Sequence, residues 1–298
     1  MKIEIERLGE GPIITPHMDA RMGDNVNGPS LIAAPDWLPD PLGRYYLYFG
    51  HHDGRYIRLA YADALTGPWR THETGVLPLA ESLFEGHIAS PDALVDEESR
   101  RIRLYYHGAP LPSGKKSPQV TRAALSADGL NFDARDEVLG RPYMRTVRHG
   151  DWHYSIAMPG QLYRSRDGLS GFEEGPNPFE DAEPGMRHAA LLVRGDRLLV
   201  FYTRVGDAPE RIVLRTIDLT DDWTRWRASP PQEILKPERD YEGADRPLAP
   251  SKRGLAQEPE NQLRDPAVFE DDTGLYLLYS VAGEKGIGIA RMVIVEGR

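Results

Sequence analysis

The feature that most restricts what this chain can fold into is a fivefold recurrence of short aromatic and β-branched runs. The runs are YYLYF at 45–49, IRLYYH at 102–107, HYSIAM at 153–158, LLVFYTR at 198–204 and LYLLYS at 275–280. A second strand-like run follows each: YIRLAYAD, QVTRAALSAD, QLYRSRD, RIVLRTID and IGIARM. The first four of these end in an aspartate, at Asp63, Asp128, Asp167 and Asp218, and an aromatic follows at Trp69, Phe132, Phe172 and Trp223. A further strand-like segment precedes every copy, beginning at Asn27, Ala89, Tyr143, Arg187 and Arg264. No long stretch places apolar residues at i, i+3, i+4 and i+7, so helices are not expected. Repeated units of three or four antiparallel strands bury their faces by stacking, and a ring of them hides its sheet edges. The expectation is an all-β, five-bladed β-propeller occupying residues 1–298 as one domain. The fifth copy lacks an outer strand, and KIEIERL at 2–8 alternates apolar and polar residues. That N-terminal segment is expected to complete the last blade. Residues 234–262 form the longest stretch without strand pattern and are expected to lie across one face of the disc.

Composition narrows the partners. Lys and Arg number 36 against 46 Asp and Glu, a formal charge of −10, which disfavours nucleic acid and anionic membranes. There is no cysteine, which excludes disulfides, thiolate nucleophiles and zinc–thiolate sites. The N-terminus lacks the apolar stretch of a secretory signal, and no run approaches the ~18 residues of a membrane span. A cytoplasmic location is the expectation.

In a propeller the innermost strands line the axis, and the turns after the second strands surround one mouth of it. The starts of the inner strands carry Asn27, Ser90 to Asp92, Arg145, Arg187 with His188, and Arg264 with Asp265. The second strands end at His51, His107, Met158, Arg204 and Ser280, and Glu210 lies in the turn after Arg204. Apart from Met158 this set is polar. Buried charge costs several kcal/mol unless it is paired or used. The convergence is therefore the main functional signal. The recurring aspartates at 63, 128, 167 and 218 read as turn formers.

Five blades, an SPD segment at 90–92 and an RDP segment at 264–266 resemble the five-bladed propeller glycosidases. These are glycoside hydrolase families 43, 32, 68 and 117 and, more distantly, the mannoside phosphorylases of family 130. The resemblance implies two aspartates and a glutamate around the axial mouth: Asp92, Asp265 and Glu210 as the catalytic set. Asn27, His51, His107, Arg187, His188, Arg204 and Arg264 are the substrate-binding candidates. The chain departs from the resemblance at Asn27, where those hydrolases usually carry an aspartate. Asp19, Asp24, Glu242 or Asp245 can supply that carboxylate from loops, or the chemistry differs.

The leading expectation is an exo-acting glycosidase on a small oligosaccharide. Glycoside cleavage needs one carboxyl protonated and one ionised, in different environments. The alternatives are a phosphorylase or lyase that uses the axial His and Arg on an anionic sugar, and a sugar-binding propeller without activity. The substrate is a small carbohydrate, anionic if the arginines read it. No cofactor is required, no metal-ligand spacing occurs, and the resemblance allows an axial ion such as calcium.

Overall fold

The computed structural model describes residues 2–52, 54–110, 118–179 and 185–295. They form five antiparallel sheets arranged as a five-bladed β-propeller. Blade one runs from the axis outward as Asn27–Ala33, Tyr45–Gly50, Tyr56–Ala62 and Arg70–Thr71. Blade two is Phe84–Asp96, Arg101–Pro110, Val120–Ser126 and Asp133–Ala134, and blade three is Arg145–His149, Trp152–Ala157, Gln161–Ser165 and Glu173–Glu174. Blade four is Met186–Arg194, Arg197–Arg204, Ile212–Asp218 and Gln232–Leu235. Blade five comprises Arg264–Asp271, Gly274–Val281 and Gly286–Val295, and Lys2–Arg7 is its outer strand. Helix is confined to short 3-10 turns, and no helix among the described residues is long and apolar enough to cross a membrane.

The aromatic runs are apolar on both faces because each blade is covered on both sides. Along Tyr45–Gly50, residues 45, 47 and 49 pack toward blade five, whereas Tyr46 and Tyr48 pack with blade two. Leu198, Val200 and Tyr202 similarly face blade three, and Leu199 and Phe201 face blade five. Period-two alternation thus sorts side chains between two neighbours rather than between core and water. Each buried aromatic or aliphatic side chain contributes roughly 1.5–3 kcal/mol of burial. The turn aspartates close the outer corners. Asp128 accepts the N–H groups of Leu130 and Asn131 at 2.8 Å, and Asp167 those of Leu169 and Ser170 at 2.8 Å.

The ring is closed by strand pairing, with an ion pair at its end. Lys2–Arg7 pairs residue by residue with the Gly286–Val295 strand from Lys2↔Val295 to Arg7↔Ala290. The Arg7 guanidinium ends this strand on the buried Glu242 carboxylate, at 2.7 and 3.0 Å. Glu242 also accepts from the Tyr279 hydroxyl and from the N–H groups of Glu238 and Arg239. It is committed to closure, so it is not the carboxylate missing at Asn27. Asp19 is paired with Arg21 and Thr71, and Asp245 with Arg246. Asp24 is exposed beside Asn25 and His51. None of the four lines the mouth cavity described below.

The 234–262 segment does cross one face. Ser251 is bonded to Gly206 and Asp207 of blade four, and the Arg253 guanidinium lies 3.8 Å from the Met158 sulfur of blade three. The Lys252 carbonyl accepts from Arg187, and the Gln257 carbonyl from Lys285.

Candidate active site at the axial mouth

The inner strands of the blades begin with the same irregularity. In blades one, two, four and five, two residues of the inner strand stand opposite one residue of the second strand. The bulged pairs are Gly28–Pro29, Ser90–Pro91, Arg187–His188 and Asp265–Pro266. Blade three does the same: Arg145 pairs with Ile156, and Pro142 accepts the Met158 N–H, so Tyr143 and Met144 face Ala157. The first bulge residue has positive φ in four blades: Gly28 (58°), Ser90 (49°), Tyr143 (61°) and Asp265 (48°). Bulges bend a strand and re-aim its side chains, and they recur at barrel rims and active sites. Here they turn one layer of residues (Gly28, Ser90, Tyr143, Arg187, Asp265) toward the mouth. Gly28 is required for space as well as conformation, because a Cβ there would sit 2.8 Å from the Ser90 Cα.

This register corrects the placement of Asp92. The SPD and RDP segments share their proline, but the aspartate follows it in one and precedes it in the other. Asp265 therefore falls in the mouth layer with Ser90. Asp92 falls one layer deeper, level with Ser30, Ala189 and Ala267. With two bulge residues opposite one partner residue, at about 3.3 Å per partner residue, this is a difference of about 3–5 Å along the axis. Asp92 accepts the Thr146 N–H at 2.9 Å and lines a different cavity, about 470 Å³, at the other end of the axis. Arg145, level with Asp92 by the same register, lines that same cavity and donates to the Ala189 carbonyl of blade four at 3.1 Å and to the Pro91 carbonyl of blade two. Burial raises the Asp92 carboxyl, and the Arg145 charge 3.7 Å away only partly opposes it.

The mouth cavity itself has a volume of about 120 Å³. Its lining includes Asn27, Ser90, His107, Arg187 and His188, together with Glu284, Tyr143, His52, His87 and Gln119. Glu284 is buried, pairs with Arg264 at 3.0 Å, accepts from the Asn27 amide at 3.4 Å and lies 3.4 Å from the His52 ring. Glu210 and Asp265 stand just behind this wall. Glu210 is fully buried between Arg187 (3.2 Å) and Arg264 (3.6 Å). Asp265 is buried against the His188 Nδ1 and accepts from the Ser280 hydroxyl at 2.9 Å. Burial alone would raise the Asp265 carboxyl. The His188 ring, Arg187 and Ser280 outweigh it and hold it well below the usual carboxylate range. Burial lowers His188. A neutral His188 thus donates from Nδ1 to Asp265 and presents Nε2 as an acceptor.

His107 is fully buried, and neither ring nitrogen has a hydrogen-bond partner among the described residues. Desolvation pushes it far below the ordinary histidine range, reinforced by His87, His188 and Arg145. Tyr143 stacks between His107 and His188, with ring centroids 4.0 and 4.4 Å away.

Two further sequence expectations are corrected. His51 turns outward to Asn25 and Asp24, and His52 takes the cavity side, a one-residue difference that alternation along the chain cannot resolve at a strand end. Arg204 is held by Asp207 at 3.0 and 3.1 Å and does not line the cavity. Arg264 lies behind the wall as the shared partner of Glu210 and Glu284. Glu284, Tyr143, His52, His87 and Gln119 were missed. Glu284 was within reach: it occupies the turn after the second strand of blade five, the place of Glu210 in blade four. The donor set does not suit calcium, which takes six to eight oxygens. The carboxylates here are each engaged by Arg or His, and no group of three or more His, Asp or Glu among the described residues is placed to hold a metal.

The chain is 39% identical over 299 residues to uncharacterized protein R118 of Acanthamoeba polyphaga mimivirus, covering 90% of this chain and 83% of the viral one. It belongs to the same family as that protein. No family model matches the chain. Among solved structures it is similar to a member of the family 130 mannoside phosphorylases, a family that contains glycoside hydrolases targeting β-1,2 mannosidic linkages in Candida mannan. The TM-score is 0.67 with 12% identity, covering 96% of this chain and 93% of the other. A family 43 β-xylosidase/α-arabinofuranosidase from a compost microbial metagenome gives 0.64 with 12% identity, covering 99% and 96%. A thermostable family 43 glycoside hydrolase gives 0.63 with 14% identity, covering 92% and 91%. The five-bladed propeller of these glycosidases is the fold of this chain.

Proposed function

We propose that the mouth cavity cleaves a glycosidic bond with inorganic phosphate as the acceptor. The observation that carries this reading is that a single carboxylate lines the cavity, beside one arginine and imidazoles that can hydrogen-bond an anion. One carboxylate, Glu284, faces Arg187 and four imidazoles, those of His52, His87, His107 and His188. Hydrolysis asks for two working carboxyl groups, one as acid and one to activate water or attack C1. Phosphorolysis asks for one proton donor and a nest of N–H donors around the anion, because phosphate is its own nucleophile. Arg187 is suited to that nest: Nη1 is engaged by Glu210 and the Lys252 carbonyl, and among the described residues nothing hydrogen-bonds the rest of the fork. A phosphate oxygen attacks C1, the bond from C1 to the leaving oxygen breaks, and that oxygen takes a proton. Glu284, fixed by Arg264, faces the positive charge that develops at C1. Asn27 is consistent with this reading, since an aspartate there would add a negative charge beside the incoming anion.

The test is incubation with disaccharides and nitrophenyl glycosides, with and without phosphate, reading sugar 1-phosphate by phosphorus NMR. Phosphate-dependent turnover, falling about 10²–10³-fold in Glu284→Gln, is expected. Free reducing sugar released equally without phosphate overturns phosphorolysis in favour of hydrolysis, the reading that the likeness to family 43 supports. Binding without turnover in every condition identifies a sugar-binding propeller.

A further inference from the structure

We infer that the proton for the leaving oxygen comes from the phenol of Tyr143 rather than from a carboxylic acid. The inference rests on the glycoside-cleaving reading above and names the acid that it leaves open.

Three independent features single out this residue. Its backbone has φ of 61°, a region that a bulky aromatic residue rarely occupies. In three of the other blades the same place is taken by the small or polar residues Gly28, Ser90 and Asp265. Strain of this kind collects where surrounding structure holds a side chain for use. The ring is clamped between His107 at 4.0 Å and His188 at 4.4 Å, so its direction is set. Tyr143 lines the cavity and its hydroxyl has no hydrogen-bond partner among the described residues, whereas the buried phenols of Tyr48, Tyr105, Tyr106 and Tyr279 each donate to a carbonyl or carboxylate.

The carboxyl groups nearby are poor acids by geometry. Asp265 is tied to His188, Glu210 to two arginines, and Glu284 to Arg264. Burial and the Asp265 charge push the Tyr143 phenol up to about 12, so it is protonated at neutral pH. A phenol of that strength still gives its proton readily to an oxygen becoming an alkoxide. The Arg187 charge opposes the rise and would stabilise the phenolate. The step balances without a further reactant. The Tyr143 O–H bond breaks as the leaving oxygen gains a hydrogen and loses C1, while an oxygen of hydrogen phosphate bonds to C1. The phosphate monoester then returns its own proton to the phenolate.

The experiment compares Tyr143→Phe with wild type on two substrates, a disaccharide and the nitrophenyl glycoside of the same sugar, in phosphate buffer. The substitution keeps the ring stack and the backbone, and thermal unfolding checks that it does. A nitrophenolate leaves without a proton. The expected result is a loss of about 10²–10⁴-fold in kcat on the disaccharide and less than tenfold on the nitrophenyl glycoside. Equal losses on both substrates, or no loss on either, overturn Tyr143 as the acid while leaving glycoside cleavage intact. A wild type that turns over neither substrate overturns both the inference and the reading beneath it.

Discussion

His107→Phe should flatten the dependence of stability on pH. In the folded protein the His107 ring is fully buried with no partner for either nitrogen among the described residues, and its affinity for a proton is far below ordinary. In the unfolded chain it titrates near 6.5. Below that pH the unfolded chain holds a proton that the folded chain does not, so stability rises with pH and is lost as pH falls. The limiting slope is about 1.36 kcal/mol per pH unit for one proton. Integrated from pH 8 down to pH 5, the loss from this one ring is about 2 kcal/mol. His188 is lowered by the same burial and adds a loss of the same sign that both proteins share. Asp265, held low, contributes stability that disappears only in acid below this window. The measurement is urea unfolding of wild type and His107→Phe from pH 8 to pH 5. With a slope of about 2–3 kcal/mol/M, the wild-type midpoint should fall by about 0.7–1 M more than that of the variant. Parallel curves would refute the reasoning, because they would mean that His107 takes up its proton within the fold.

Arg264→Met should cost about 3–5 kcal/mol, since it leaves the buried Glu284 with only its longer Asn27 and His52 contacts and Glu210 with Arg187 alone. At roughly 2–4 °C per kcal/mol that lowers Tm by about 6–20 °C, and adding Glu284→Gln should recover part of it; a loss under 1 kcal/mol would show that the guanidinium is dispensable. Asp92→Asn should leave turnover within about twofold of wild type, because the amide oxygen can still accept from Thr146 and this residue lines a cavity other than the mouth. A hundredfold loss would return Asp92 to the reacting centre.

Much of the architecture was legible because its causes are local. Alternation within YYLYF and LLVFYTR, the aspartates that cap turns at 128 and 167, and the amphipathic pattern of Lys2–Arg7 act over a few residues. Each reports on its own strand or turn. Counting the copies then gave the ring. The mouth was legible as a set of polar starts and ends, and Asn27, His107, Arg187 and His188 do line one cavity. What failed was depth and facing. Whether an aspartate beside a proline faces the mouth depends on where a two-for-one bulge falls against the neighbouring strand. That is decided by pairing between segments, and a slip of one or two residues moves a side chain to another face or another layer. Asp92 and His51 moved out of the mouth for this reason, and His52 moved in. Tyr143 read as part of a strand because nothing in YMRTVRH announces a positive φ. The sequence by itself determined the number of blades, their order and the closing strand. Only the tertiary structure decided which of its charges meet across the axis, because those meetings join blades that no local pattern connects.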